Sequence, residues 1–128
     1  MGAKVLYIED NPGNRILVRR ILLVEGYDVL EAEDGPAGIE VALQKKPDLI
    51  LMDMNLPDID GYELTKRMRA IPELSGIPIV AMTANVMQGD REKTLAAGCC
   101  GYIPKPIDVD ELPQQVARFL KMSGYQGD

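Results

Sequence analysis

The sequence has no histidine and no tryptophan, a single phenylalanine, and two cysteines that stand side by side. Without histidine a zinc site lacks its usual ligands, and neighbouring cysteines rarely close a structural disulfide. Cys99 and Cys100 therefore read as two buried thiols kept reduced in a cytoplasmic protein. Long apolar runs are missing as well. Nothing approaches the roughly 18 residues of a transmembrane span, and no charged-then-apolar signal segment opens the chain. Basic residues are outnumbered 14 to 20, and the net charge of -6 argues against nucleic acid or an anionic membrane as a direct partner.

What is present points to one soluble domain. The 128 residues suffice for a single core, and 46% hydrophobic with 27% charged residues is a globular composition. Three short apolar runs, Val5-Leu6-Tyr7-Ile8, Leu49-Ile50-Leu51-Met52 and Ile79-Val80-Ala81-Met82, suit strands buried on both faces. Val29-Leu30 and Tyr102-Ile103 are shorter and interrupted, as edge strands are, and Pro104 is tolerated at such an edge.

Helical patterns separate these runs. Asn11-Pro12 supplies a cap and a first-turn proline, after which Ile16, Leu17, Ile21 and Val24 recur at helical spacing. Asp34-Gly35-Pro36 opens a second helix with Ile39, Ala42 and Leu43 inward. Leu64, Met68 and Ile71 form a third stripe. From Val86 to Ala97 the chain is polar with few apolar anchors, which predicts an exposed, loosely held helix. The last helix, Val109 to Met122, carries Leu112, Val116, Phe119 and Leu120 on one face. No internal repeat, low-complexity tract or linker interrupts the series.

Five strand–helix alternations predict a single α/β domain, a doubly wound parallel sheet of flavodoxin-like order 2-1-3-4-5, with ligands bound outside the carboxyl ends of the strands. That rule places Glu9-Asp10, Asp53, Thr83 and Lys105, each ending a different strand, on one rim. Three crowded carboxylates repel one another, and a hard divalent cation relieves that repulsion through oxygen ligands. Magnesium suits so sparse a site. A lysine ammonium and a threonine hydroxyl across the rim suit phosphate oxygens. Together these are the parts of phosphoryl transfer, with an aspartate carboxylate as the available acceptor.

Over nearly its full length the chain resembles the receiver domain of a bacterial response regulator, in the family of the chemotaxis single-domain regulators. "YIEDNPGNR", "PDLILMDMNLPDIDGYELTK", "IPIVAMTAN" and "GYIPKPI" carry the resemblance. "MTANVMQGDREKTLAAGCCGYIPKPI" is similar to single-domain regulators of the DivK type and to receivers attached to hybrid kinases. The resemblance implies that Asp53 is the phosphoacceptor, charged from a phosphohistidine of a histidine kinase or phosphotransfer protein. It implies that Asp10 binds magnesium directly, Glu9 largely through water, and Asn55 through its backbone carbonyl. Thr83 then hydrogen-bonds the phosphoryl group and Lys105 pairs with it. Ala84 keeps the pocket open, Tyr102 is the aromatic that turns inward on activation, and Lys105-Pro106 is the peptide usually cis. Glu9 stands where many members carry aspartate, which changes the length of the water bridge.

Each residue also has a plainer reading. Taken singly, Asp53 is a turn-forming aspartate, Thr83 a strand-end hydroxyl, Lys105 a solvated lysine, and Glu9-Asp10 carboxylates before a helix dipole. Their joint placement sets these four apart; for Tyr102, edge-strand packing stands beside the switch role. Two other classes share part of this pattern. An aspartate-nucleophile phosphatase of the haloacid dehalogenase type wants a second aspartate where this chain has Asn55, and a cap domain. A pseudo-receiver generally loses the acceptor or its lysine, and both are here. No GxGxxG follows the first strand to support a dinucleotide site. The expectation is a switch spanning residues 1–128 with no output domain. It acts on its own aspartyl phosphate rather than as an enzyme, and it meets a downstream protein through its 86–122 face.

Overall fold

Every apolar run becomes a strand of one five-stranded sheet. The computed structural model describes residues 2–84 and 88–124, with the backbone alone for 88–90. The strands are β1 (Lys4–Ile8), β2 (Asp28–Ala32), β3 (Leu49–Asp53), β4 (Ile79–Thr83) and β5 (Gly101–Pro104). All pairings are parallel, in the order β2-β1-β3-β4-β5. The helices are α1 (Pro12–Val24), α2 (Gly35–Lys45), α3 (Gly61–Arg69), α4 (Gln88–Ala97) and α5 (Leu112–Met122), with a 3-10 turn at Pro72–Leu74. None of the described helices is long and apolar enough to cross a membrane.

Strand periodicity divides the core, because successive side chains point to opposite faces. Leu6, Ile8, Ile50, Met52, Ile79 and Ala81 pack with α2 and α3 residues such as Ala42, Leu64 and Met68. Val5, Tyr7, Leu49, Leu51, Val80 and Met82 pack with Val18 and Leu22 of α1 and Leu112, Val116 and Leu120 of α5. By the same parity Glu9, Asp53 and Lys105 belong to the α1/α5 side, while Thr83 and Tyr102 belong to the other. Helix α4 lies against α3 and β5.

Four expectations need correction. In α1 the buried positions are Val18 and Leu22, while Ile16, Leu17 and Val24 are exposed and Ile21 is half-buried. Arg15 and Arg19 explain the rotation. The Arg15 guanidinium donates to the Glu9 carbonyl at 2.7 Å, and Arg19 pairs with Glu31 at 2.9 Å, so both must face the sheet edge. In α2, Ala42 is buried but Leu43 is exposed, its place inward taken by Gly35 and Gly38. Helix α5 begins at Leu112, not Val109. The Asp108 carboxylate accepts from the N–H groups of Asp110 and Glu111 at 3.0 and 3.2 Å, folding that stretch into a preceding turn. Of the two thiols only Cys99 is buried, near the Thr65 hydroxyl; Cys100 is exposed, since neighbours entering an edge strand face opposite ways.

The polar helix forms as expected from Gln88, and Val86 lies outside the described residues. Thr94 and Ala97 are its buried positions among the side chains described. Its end requires Gly98, with φ +113, a conformation that L side chains rarely adopt. Arg69 packs against that glycine and donates to its carbonyl at 2.9 Å, and to the carbonyl of Ile77 at 2.7 Å.

Candidate functional site

Three parallel strands place their last residues side by side, so the carboxyl rim of the sheet gathers side chains from distant parts of the sequence. Asp53 is the final residue of β3, and Glu9 and Asp10 follow β1 directly. Their carboxylate oxygens lie within 4.8 Å of one another. Glu9 and Asp53 are buried and Asp10 is exposed.

Lys105, just beyond β5, reaches into this group. Its ammonium stands 2.7 Å from Asp53 Oδ1 and 3.7 Å from Glu9 Oε1. The backbone N–H of Asn55 also donates to Asp53 Oδ1, at 3.1 Å. The Lys105–Pro106 peptide is cis. Beside it Asn14, Leu17, Ala84 and Ile107 help line a groove of about 420 Å³.

Glu9 is held from several directions. Its Oε1 accepts from the Tyr7 hydroxyl at 3.0 Å and from Asn14 Nδ2 at 3.2 Å, and its Oε2 accepts from the Asn11 N–H at 3.3 Å. Burial, then the Asp53 carboxylate beside it, pushes the Glu9 carboxyl above the usual range; Asn11 and Lys105 partly oppose this. The Tyr7 phenol is pushed far up by burial and by Glu9, so it remains a donor. Tyr7 and Asn14 are the residues that sequence reasoning missed. Tyr7 reads as one more member of an apolar run, and its signal is a phenol two positions before an acid, the spacing that puts both on one face of a strand.

Thr83 ends β4, buried, on the side of the sheet away from α1. With Met54, Asn55, Leu56, Asp60 and Tyr62 it lines a second cavity of about 400 Å³. A further cavity of about 550 Å³ between α2 and α3 is lined by none of the rim carboxylates, nor by Thr83 or Lys105. Tyr102 pairs in register with Ala81, which makes it a diagonal neighbour of Thr83 on the same sheet face. Its ring is half-buried, and Arg91 Nη2 of α4 donates to its hydroxyl at 2.7 Å with the guanidinium 5.2 Å from the ring centroid.

A sequence model described as the response regulator receiver domain matches residues 5–117, and the chain belongs to that family. Among curated relatives, the polar-differentiation response regulator DivK of Brucella anthropi is 38% identical over 120 residues, 94% of this chain and 98% of the relative. Among solved structures, the chemotaxis response regulator CheY4 of Vibrio cholerae superposes with a TM-score of 0.87 at 29% identity, over 92% of this chain and 98% of that one. The receiver domain of the sensor histidine kinase PA1611 from Pseudomonas aeruginosa is 39% identical, with a TM-score of 0.84 over 94% of this chain and 99% of that one. In that neighbour a magnesium ion is coordinated in the active-site cleft.

Proposed function

We propose that the protein is a phosphorylation-driven switch of the DivK type, charged on Asp53. The observation that carries this reading is Lys105 on Asp53 Oδ1 at 2.7 Å, with the oxygens of Glu9 and Asp10 clustered beside it. That donor set fits a hard cation: carboxylate oxygens alone, crowded and partly buried, with charge to be neutralised. Asp10 and Asp53 would hold magnesium directly, Asn55 would add its carbonyl, and Glu9 would act largely through water. Magnesium bound there would neutralise phosphoryl oxygens and favour in-line displacement.

The chain's own groups do the rest. An Asp53 oxygen attacks the phosphorus of a phosphohistidine on an upstream kinase or phosphotransfer protein. The P–N bond breaks, and the imidazole leaves with the bonding pair. Lys105 pairs with the transferred oxygens and Thr83 donates its hydroxyl to them. Water later attacks the same phosphorus, the bond from phosphorus to the Asp53 oxygen breaks, and inorganic phosphate leaves as the carboxylate is restored, so the protein turns over only its own aspartyl phosphate. For Thr83 to reach the new oxygens it must move toward them, and Tyr102 follows into the space. The 86–122 face, α4, β5 and α5, would then present a different surface to a downstream protein. The receiver unit that would do this is the stretch matched by the family, residues 5–117.

Acetyl phosphate with magnesium should label the protein on one residue through a labile acyl-phosphate bond that hydroxylamine removes, read by intact mass. Asp53→Asn should remove the label, whereas Cys99→Ser and Cys100→Ser should keep it. A label that survives Asp53→Asn refutes the assignment, and rapid turnover of unrelated phosphate esters supports a phosphatase instead. Saturating magnesium should stabilise the fold, by linkage about 2.7 kcal/mol at a hundred times the dissociation constant, and so raise the melting temperature. Asp10→Asn should shrink that rise.

A further inference from the structure

Tyr7 is 0% exposed and lies among Val18, Leu22, Leu51, Met82 and Val116. Packing there needs a large apolar side chain, which phenylalanine or leucine supplies without burying a hydroxyl. A hydroxyl in such a place must have a partner, and this one donates to Glu9 Oε1 at 3.0 Å. We infer that Tyr7 is a positioning residue for magnesium, its hydroxyl holding the Glu9 carboxylate in the orientation that serves the cation.

Strand geometry makes the pair possible. Tyr7 and Glu9 are two residues apart and share the α1/α5 side, and the longer reach of glutamate brings its carboxylate back toward the phenol. The competitor is Lys105, 3.7 Å from the same Oε1 and 2.7 Å from Asp53. A neutral donor ties Oε1 without cancelling its charge. With Tyr7 and Asn14 on that oxygen, Lys105 stands off from Glu9 at 3.7 Å and keeps its hydrogen bond to Asp53 at 2.7 Å. Remove the hydroxyl, and Lys105 becomes the stronger attraction for Glu9, so the cation must compete for it. Glutamate at position 9 and tyrosine at position 7 are on this account a matched pair.

The inference rests on the proposed magnesium site, and the experiment separates the two. Magnesium is titrated into the full chain while the amide signals of Asp10 and Asp53 are followed by NMR. The proteins are the unaltered chain, Tyr7→Phe, Glu9→Asp and the double variant. Tyr7→Phe should raise the dissociation constant about tenfold, as loss of a group that orients a ligand does. In the Glu9→Asp background, whose shorter acid no longer reaches the phenol, the same change should alter it by about twofold or less. Equal losses in both backgrounds mean that Tyr7 acts through packing, and no loss in the first means that it does not act on the metal; either overturns the inference. If Tyr7→Phe fails to fold, the unaltered chain still decides. Labelled ring carbons of Tyr7 should shift with the same magnesium dependence as the Asp53 amide, and stationary ring signals overturn the pair. Failure of the unaltered chain to bind magnesium removes the metal site and this role together.

Discussion

Two helices flank the rim, and opposite kinds of force hold them. Helix α1 buries Val18 and Leu22 in a core shared with α5, and a capped first turn fixes its start, Asn11 Oδ1 accepting from the Asn14 N–H at 3.0 Å. Helix α4 buries Thr94 and Ala97 among its described side chains and leaves Leu95 51% exposed. Among its described side chains two further ties are polar: Arg91 on Tyr102, and Lys93 stacked 4.4 Å from the Tyr62 centroid. Burying a leucine contributes about 1.5–3 kcal/mol, whereas an exposed cation–π contact contributes about 0.5–1 kcal/mol. The acidic half of the site therefore rests on a stiff wall, and the half containing Thr83 rests on one that moves cheaply. On the proposed function, a phosphoryl group held against the first would displace the second.

The same chemical change on the two helices should break the symmetry most visibly. Leu22→Ala removes a fully buried side chain and should cost about 2–5 kcal/mol in urea unfolding. Leu95→Ala should cost about 0.5 kcal/mol or less, because that side chain is half in solvent. Amides of α4 should also exchange faster than those of α1. Equal costs would mean that α4 is anchored as firmly as α1 and that the surface cannot respond as proposed.

Glu9 gives the next test, on the stiff side. Its carboxyl is raised in the fold, by burial first and Asp53 second, so folding favours the protonated form. That contribution is fully present below the ordinary glutamate value near 4.5 and is lost as pH rises through the raised value. Without magnesium, Glu9→Gln should therefore be more stable than the unaltered chain at neutral pH, with the advantage gone at low pH. Magnesium should raise the unaltered chain more than the variant, which keeps Asp10 and Asp53. A metal-free variant that melts lower at neutral pH would mean that the hydrogen bonds to Glu9 outweigh its burial.

Much of this was legible in sequence for a physical reason. Strands buried on both faces must be continuous apolar runs, so the residue that ends each run, Glu9, Asp53 or Thr83, marks the rim by its polarity. The order of a doubly wound sheet then gathers those ends. What stayed hidden depends on choices that periodicity leaves open. In α1 apolar residues lie on both faces, and only the pairing of Arg15 and Arg19 with groups around β1 and β2 decides which face turns inward. The Tyr7–Glu9 bond is invisible because tyrosine in an apolar run looks like packing. The start of α5 turned on a local Asp108 turn that competes with the helix. Arg91 on Tyr102 joins a helix to a strand across a turn, and no local pattern announces it.

That last contact gives the smallest and most specific effect. The Arg91 guanidinium holds the Tyr102 hydroxyl on α4, while on the proposed function the phosphoryl group would act from the opposite direction, movement of Thr83 opening the space into which the ring turns. An equilibrium shifts only by the difference in contacts between its two states, so weakening the α4 contact should do part of what the phosphoryl group does. Arg91→Ala should cost about 1 kcal/mol or less in stability. It should move the Tyr102 ring signals, without any phosphoryl mimic, part of the way toward their positions in beryllofluoride, and the remaining shift should need less of the mimic. Thr83→Ala should do the reverse, accepting phosphate on Asp53 while losing most of the Tyr102 shift. Ring signals that stay fixed in Arg91→Ala, with an unchanged titration, would mean that α4 does not restrain Tyr102. The route from Asp53 to the surface would then have to run through α5, on the stiff side of the sheet.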